Sequence, residues 1–338
     1  MPTERSITTS RGTSFRVLDS GAPTQADYLT LVFLHGWGLP SVRITERIAA
    51  LAPAEGARFI GVNRRGYFGS SPYTPEEACV LEGGTPEERA GAYRDEGLQY
   101  VYLLDALVQD GTVGEGGVAL IGWSVANAHL NATIAAVHDL PGPVRDRLSQ
   151  CVKAFIYFEA SPPLMGIPLL SGLYMPIQDE SVPLETREKN SKAWYASYFT
   201  HNLAARDVCK LETRNADPTR PASDSVEAFD EKYLDLPGAL PGDQAMFAPE
   251  LLPHIKAACD AALFDESVRE AWGRPKVVYM WGESSVWTAI CTAWKLEGEY
   301  KKRVGAPEMT FKRLEQSNHY AILDRPEETL RAFLDSAR

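Results

Sequence analysis

Apolar residues fill most positions in six short runs along the chain: residues 29–34, 58–62, 118–122, 154–158, 276–281 and 309–314. Each run has strand length, is rich in β-branched or aromatic side chains, and lacks the alternation of a strand with one wet face. Helical spacing occupies much of the chain between them, as in residues 98–108 and 125–137. This rhythm predicts an open, mostly parallel sheet covered by helices, an α/β fold. Ahead of it, the β-prone segments 7–9 and 15–19 flank Arg11-Gly12 and read as a hairpin, closed by the turn-forming Ser20-Gly21-Ala22-Pro23.

The rhythm breaks once. Residues 162–272 carry helical pattern and many prolines but no convincing buried strand, which predicts an inserted helical cap over 162–271 on a core made of 1–161 and 272–338. Within it, residues 184–199 have helical spacing and end in the aromatic cluster Trp194, Tyr195, Tyr198 and Phe199, and residues 243–264 read as helical despite Pro249 and Pro253. The aromatics suit either cap-core packing or the roof of an apolar substrate pocket. A smaller insertion, residues 72–94, with Gly83-Gly84 and several glutamates, reads as a surface excursion. Gly114 to Gly117 has no following Lys-Ser/Thr and marks a turn before a strand, not a phosphate loop.

Composition narrows the function classes. The chain has 338 residues, 44% hydrophobic and 23% charged, enough for a large core without a disulfide or structural metal. A net charge of −11 with no basic stripe excludes nucleic acid as the expected partner. No apolar leader and no window of about 18 apolar residues predicts a cytoplasmic protein with no membrane contact. The five cysteines are scattered without a C-x-x-C pair, and the six histidines include neither H-x-H nor H-E-x-x-H, so no metal or cofactor is expected. A small-molecule substrate is the expected partner, and the size of the chain is compatible with a homodimer.

Chemistry concentrates in three loops that follow strands. In Val118-Ala119-Leu120-Ile121-Gly122-Trp123-Ser124-Val125-Ala126 an apolar strand runs into Gly-x-Ser-x-Ala and then a helix. Such a strand-to-helix elbow holds the Ser124 hydroxyl out at the carboxyl end of the sheet, near the positive end of the helix, although a serine there also serves as a helix cap. A second strand ends in Leu34-His35-Gly36-Trp37-Gly38, and a third loop carries Gln316-Ser317-Asn318-His319-Tyr320 just before the helix signal Asp324-Arg325-Pro326.

With these three pieces the sequence resembles the α/β-hydrolase superfamily over roughly residues 15–161 and from 276 to the end. The resemblance implies a Ser124 nucleophile, His319 as general base, and an oxyanion hole made by the amides of Trp37 and Val125. His35 and His129 then take structural roles. The acid departs from the usual pattern: Trp281-Gly282-Glu283-Ser284-Ser285 puts a serine, Ser285, where the family usually places aspartate. Two carboxylates are candidates to replace it, Glu159 at the tip of the preceding apolar strand or Glu283. Glu159 is preferred, because a glutamate there, ahead of Ala160-Ser161-Pro162-Pro163, is hard to explain as packing. The segment Asn63-Arg64-Arg65-Gly66-Tyr67-Phe68-Gly69-Ser70 is similar to the family's D-x-R-G-x-G-x-S loop, with Asn63 and Arg65 assigned to holding that loop.

The expected activity is therefore cleavage of an ester or lactone of a small, fairly apolar substrate through an acyl-enzyme on Ser124, with Trp123, Trp194, Tyr195 and Tyr198 as substrate-binding side chains. A serine at the elbow argues against the aspartate-nucleophile dehalogenases and epoxide hydrolases of the superfamily. C–C bond hydrolysis, a non-hydrolytic biosynthetic step, or a receptor-like member with little turnover are the alternatives.

Overall fold

The computed structural model describes residues 1–223 and 241–338. Among them, eight strands form one sheet in the order β1-β2-β4-β3-β5-β6-β7-β8. β1 (Thr3–Thr8) and β2 (Ser14–Asp19) make the expected antiparallel hairpin, and β2 also runs antiparallel to β4 (Ala57–Val62). From β4 through β3 (Leu29–Leu34), β5 (Val118–Trp123), β6 (Val152–Phe158), β7 (Lys276–Gly282) and β8 (Met309–Leu314), every pairing is parallel. This is the α/β-hydrolase architecture expected from the sequence.

Every residue of β3 and β5 is buried, as a strand covered by helices on both faces requires. One side of the sheet packs on α2 (Pro86–Gln109), α3 (Ala126–Ala135) and α7 (Trp287–Lys302), the other on α8 (Pro326–Ala337). β8 departs from the expectation of a run apolar on both faces: it is the edge of the sheet, and Thr310 and Arg313 are exposed.

Residues 72–94, expected as a surface excursion, are mostly exposed or half-buried and largely helical. They form α1 (Pro75–Gly83) and the first turns of α2, each opened by a capping box in which Thr74 with Glu77, and Thr85 with Glu88, exchange side-chain and backbone hydrogen bonds. Between β6 and β7 the described residues hold α5 (Leu184–Ala196), a short helix Pro241–Ala245, α6 (Leu252–Phe264) and several 3-10 turns, and no strand. The helix expected over 243–264 is therefore two. Pro249 lies in the gap and Pro253 in the first turn of α6, where its missing N–H costs nothing.

Candidate active site

β5 delivers Ser124 into a left-handed conformation, φ 56°, before α3 begins. A residue with a Cβ pays of order 1 kcal/mol or more to sit there, so the surroundings must impose it. The Ser124 amide donates to the Phe158 carbonyl at 2.9 Å, and the Asn127 side chain donates to both the Ser124 carbonyl, at 2.8 Å, and that of Phe158, at 2.9 Å. Gly36 closes in from the β3 loop: a Cβ there would lie 3.0 Å from the Ser124 Cβ and 3.2 Å from the Trp123 ring.

Glu159, which follows β6, also has positive φ, 58°. Its amide donates to Met280 on the neighbouring strand at 3.0 Å, which turns the side chain across the ends of β6 and β7. The carboxylate is fully buried. Oε1 accepts from the Gly282 amide at 2.5 Å, while Oε2 accepts from the Ser285 hydroxyl and lies 2.9 Å from Nδ1 of His319. An ionised carboxylate only accepts, so the imidazole proton belongs on Nδ1 and the lone pair on Nε2. The ring is wedged between aromatics, with centroids 5.4 Å from Trp123, 4.9 Å from Tyr195 and 5.6 Å from Tyr320. Trp123, beside Ser124, also donates its indole N–H to the His319 carbonyl at 3.1 Å.

The β3 loop is held from below. His35 is buried, accepts the Arg64 amide on Nε2 at 3.0 Å and directs Nδ1–H to the Gly36 carbonyl at 2.7 Å. Burial, with the adjacent Arg64 charge, drives its pKa well below the ordinary value, so it is neutral and structural, as expected. His129 is likewise depressed by burial and then by Arg64, whose Nη1 lies 3.0 Å from its Nε2. Asn63 accepts from the Val42 amide at 3.1 Å and donates to the Phe68 carbonyl at 3.0 Å. Arg65 bridges Glu96 at 3.0 Å and Glu77 at 2.7 Å.

Glu283 lies away from the imidazole. It accepts from the Gln316 amide at 2.7 Å and faces Arg313 at 3.6 Å, which makes it a brace for the loop after β8. Ser285 has a second partner: its carbonyl accepts from Nε2 of His201, whose Nδ1 accepts the Glu212 amide at 3.1 Å. His201, from the β6–β7 segment, therefore backs the residue that donates to Glu159, a link no local pattern announced.

The four aromatics expected to bind substrate separate. Tyr195 lies against the imidazole and is hydrogen-bonded with Ser161, and burial raises its phenol pKa. Trp123 is only 1% exposed, with Phe33, His319 and Tyr320 around its ring. Trp194 is buried with its indole N–H on the Thr213 carbonyl at 2.8 Å, and Tyr198 donates to Asp324 at 2.7 Å under the Arg220 guanidinium. In all three the polar atom is hydrogen-bonded to another part of the chain, which leaves only the rings for other contacts. The Val125 backbone adjoins Ser124 at the start of α3, and Trp37 stacks on Phe247 with centroids 5.5 Å apart.

The sequence model of the alpha/beta hydrolase family matches residues 31–332. No curated protein sequence matches the chain. Among solved structures it is similar to an esterase from Exiguobacterium antarcticum (17% identity, 98% of each chain covered, TM-score 0.51). It is also similar to a bromoperoxidase from Bacillus anthracis (15% identity, 98% of each chain covered, TM-score 0.50). A Vigna radiata epoxide hydrolase mutant is a third such structure (14% identity, 99% of this chain and 98% of that one, TM-score 0.50). At these identities the likeness is one of fold. Among the described residues no helix is long and apolar enough to cross a membrane.

Proposed function

We propose, from the premise that this chain belongs to the alpha/beta hydrolase family, that it is a serine hydrolase cleaving an ester or lactone of a small, fairly apolar substrate. The observations that carry the reading are the left-handed elbow of Ser124, whose neighbour Trp123 holds the His319 carbonyl, and an imidazole that a buried carboxylate holds through Nδ1 at 2.9 Å. Glu159, not Glu283, is the acid of this proposal.

In the proposed cycle, Nε2 of His319 takes the Ser124 proton as Oγ attacks the acyl carbon, and Glu159 stabilises the imidazolium that forms. The oxyanion is received by the amides of Trp37 and Val125, donors of a kind typically worth about 3 kcal/mol each because they meet charge that exists only in the transition state. His319 returns the proton to the leaving alcohol, and water repeats the sequence on the acyl-enzyme. Of the three aromatic side chains around the reacting imidazole, Tyr195 is the one that is not fully buried, which favours an apolar acyl or alcohol group there.

A fluorophosphonate probe tests this without knowledge of the substrate. Intact mass should rise by one adduct on the wild type and not on a folded Ser124→Ala protein. A folded wild type that takes no adduct would overturn the proposal.

A further inference from the structure

A buried ion pair beneath the β3 loop is used by none of the steps above. Asp243 opens the segment that returns to β7, 179 residues from Arg64 in the chain, yet their side chains form a two-point pair, Nη1 to Oδ1 at 2.5 Å and Nη2 to Oδ2 at 3.0 Å. Both side chains are almost fully buried. Burial works against the Arg64 charge, but Asp243, with Tyr67 and Tyr100, more than offsets it, so the guanidinium pKa is raised. Tyr67 completes the cluster: its hydroxyl donates to Asp243 at 2.6 Å and accepts the Gly38 amide at 2.7 Å.

What Arg64 does with its remaining hydrogens is specific. Nε donates to the His35 carbonyl at 2.9 Å and Nη2 to the Gly36 carbonyl at 3.1 Å, the same oxygen that His35 Nδ1 reaches. In a planar trans peptide the Gly36 carbonyl and the Trp37 N–H point in opposite directions. Pinning the carbonyl into the Arg64 cluster therefore fixes the Trp37 amide to face away from it. Gly36 itself abuts Ser124.

We infer that Asp243 and Arg64 are positioning residues for the oxyanion hole: the Asp243 carboxylate orients the guanidinium, which orients the Gly36–Trp37 peptide, so the hole is complete only with the ion pair made. This rests on the serine-hydrolase reading. A simple structural brace would stabilise the fold without a selective effect on the transition state, whereas a positioned donor acts on kcat and leaves KM nearly untouched.

The test uses p-nitrophenyl butyrate as the substrate probe and an aryl trifluoromethyl ketone, which forms a tetrahedral oxyanion on the serine. Asp243→Asn keeps the shape and removes the charge. It should lower kcat about 10- to 100-fold, a partial loss of the 10²–10³-fold effect of deleting such a donor, with KM within about twofold and ketone affinity falling in parallel with kcat. Arg64→Lys, which cannot hold both carbonyls and the carboxylate at once, should do the same. If either fails to fold, Tyr67→Phe decides, since it keeps the ion pair, frees the Gly38 amide and removes one of the two donors to Asp243 Oδ2; about a three- to tenfold loss confined to kcat and ketone affinity is expected. Unchanged kcat in the folded variants, or a change confined to KM, would overturn the inference. Wild type labelled by fluorophosphonate with Asp243→Asn labelled as fast defeats this inference alone, whereas an unlabelled wild type defeats the hydrolase reading beneath it.

Discussion

Ser285 stands where the resemblance leads one to expect an aspartate, and its hydroxyl donates to the very carboxylate that replaces it. A carboxylate from β7 there would meet Glu159 head on, and two buried like charges in contact cannot both ionise. Serine resolves this by becoming a donor, and with the Gly282 amide it fixes the Glu159 oxygens that the imidazole needs. Glu159→Gln should therefore cut kcat by about 10³–10⁴-fold, the scale on which a triad loses its acid, because the amide can present an N–H to Nδ1 and favour the wrong tautomer. Glu283→Gln should stay within about twofold, since that side chain braces Gln316 instead. Steady-state hydrolysis of p-nitrophenyl butyrate separates the two, and equal losses would contradict the assignment. The meeting of Glu159 with His319 was legible in the sequence because a glutamate ending an apolar strand is hard to explain as packing. Asp243 was not, because nothing near it in the chain signals a partner 179 residues away.

Elements whose signals are periodic and local were the readable ones. β3 and β8 have the bounds that their apolar runs imply, and the other core strands grow by only a residue or two, because ladder ends extend past the apolar core of a strand. α1 and the start of α2 escaped a reading based on hydrophobic periodicity, since their exposed turns have almost none. Their signal was Thr-Pro-Glu-Glu, present at 74–77 and again at 85–88, a capping box with proline in the first turn. Glu77 and Glu88 of that segment are cap acceptors, and Glu77 holds Arg65 as well. Thr85→Ala should destabilise the protein by about 1 kcal/mol in urea unfolding with no change in kcat, as the loss of a cap side chain does. No measurable loss would mean that α2 is held by its packing on α3 alone.

At the scale of the whole molecule, Arg64 is where the β3 loop, the β4 loop, α3 and the β6–β7 segment meet, and two of the side chains on it are histidines that must stay neutral. Both have pKa values pushed well below 6.5, first by burial and then by the Arg64 charge. The sign follows directly. Below about pH 6.5 the unfolded chain binds protons at these two positions that the folded chain refuses, so their contribution is fully present above that pH and is lost as pH falls. Each such histidine can cost up to about 1.4 kcal/mol of stability per pH unit in that range. Carboxylates titrate in the same region, so the informative quantity is a difference between variants. His129→Gln keeps an acceptor for Arg64 and removes one titrating group. Its unfolding free energy, measured in urea at pH 7.5, 6.0 and 5.0, should therefore fall less steeply than that of the wild type, by about one proton taken up on unfolding. Parallel curves would mean that His129 protonates in the folded state despite Arg64, and that the cluster tolerates a second positive charge at its centre.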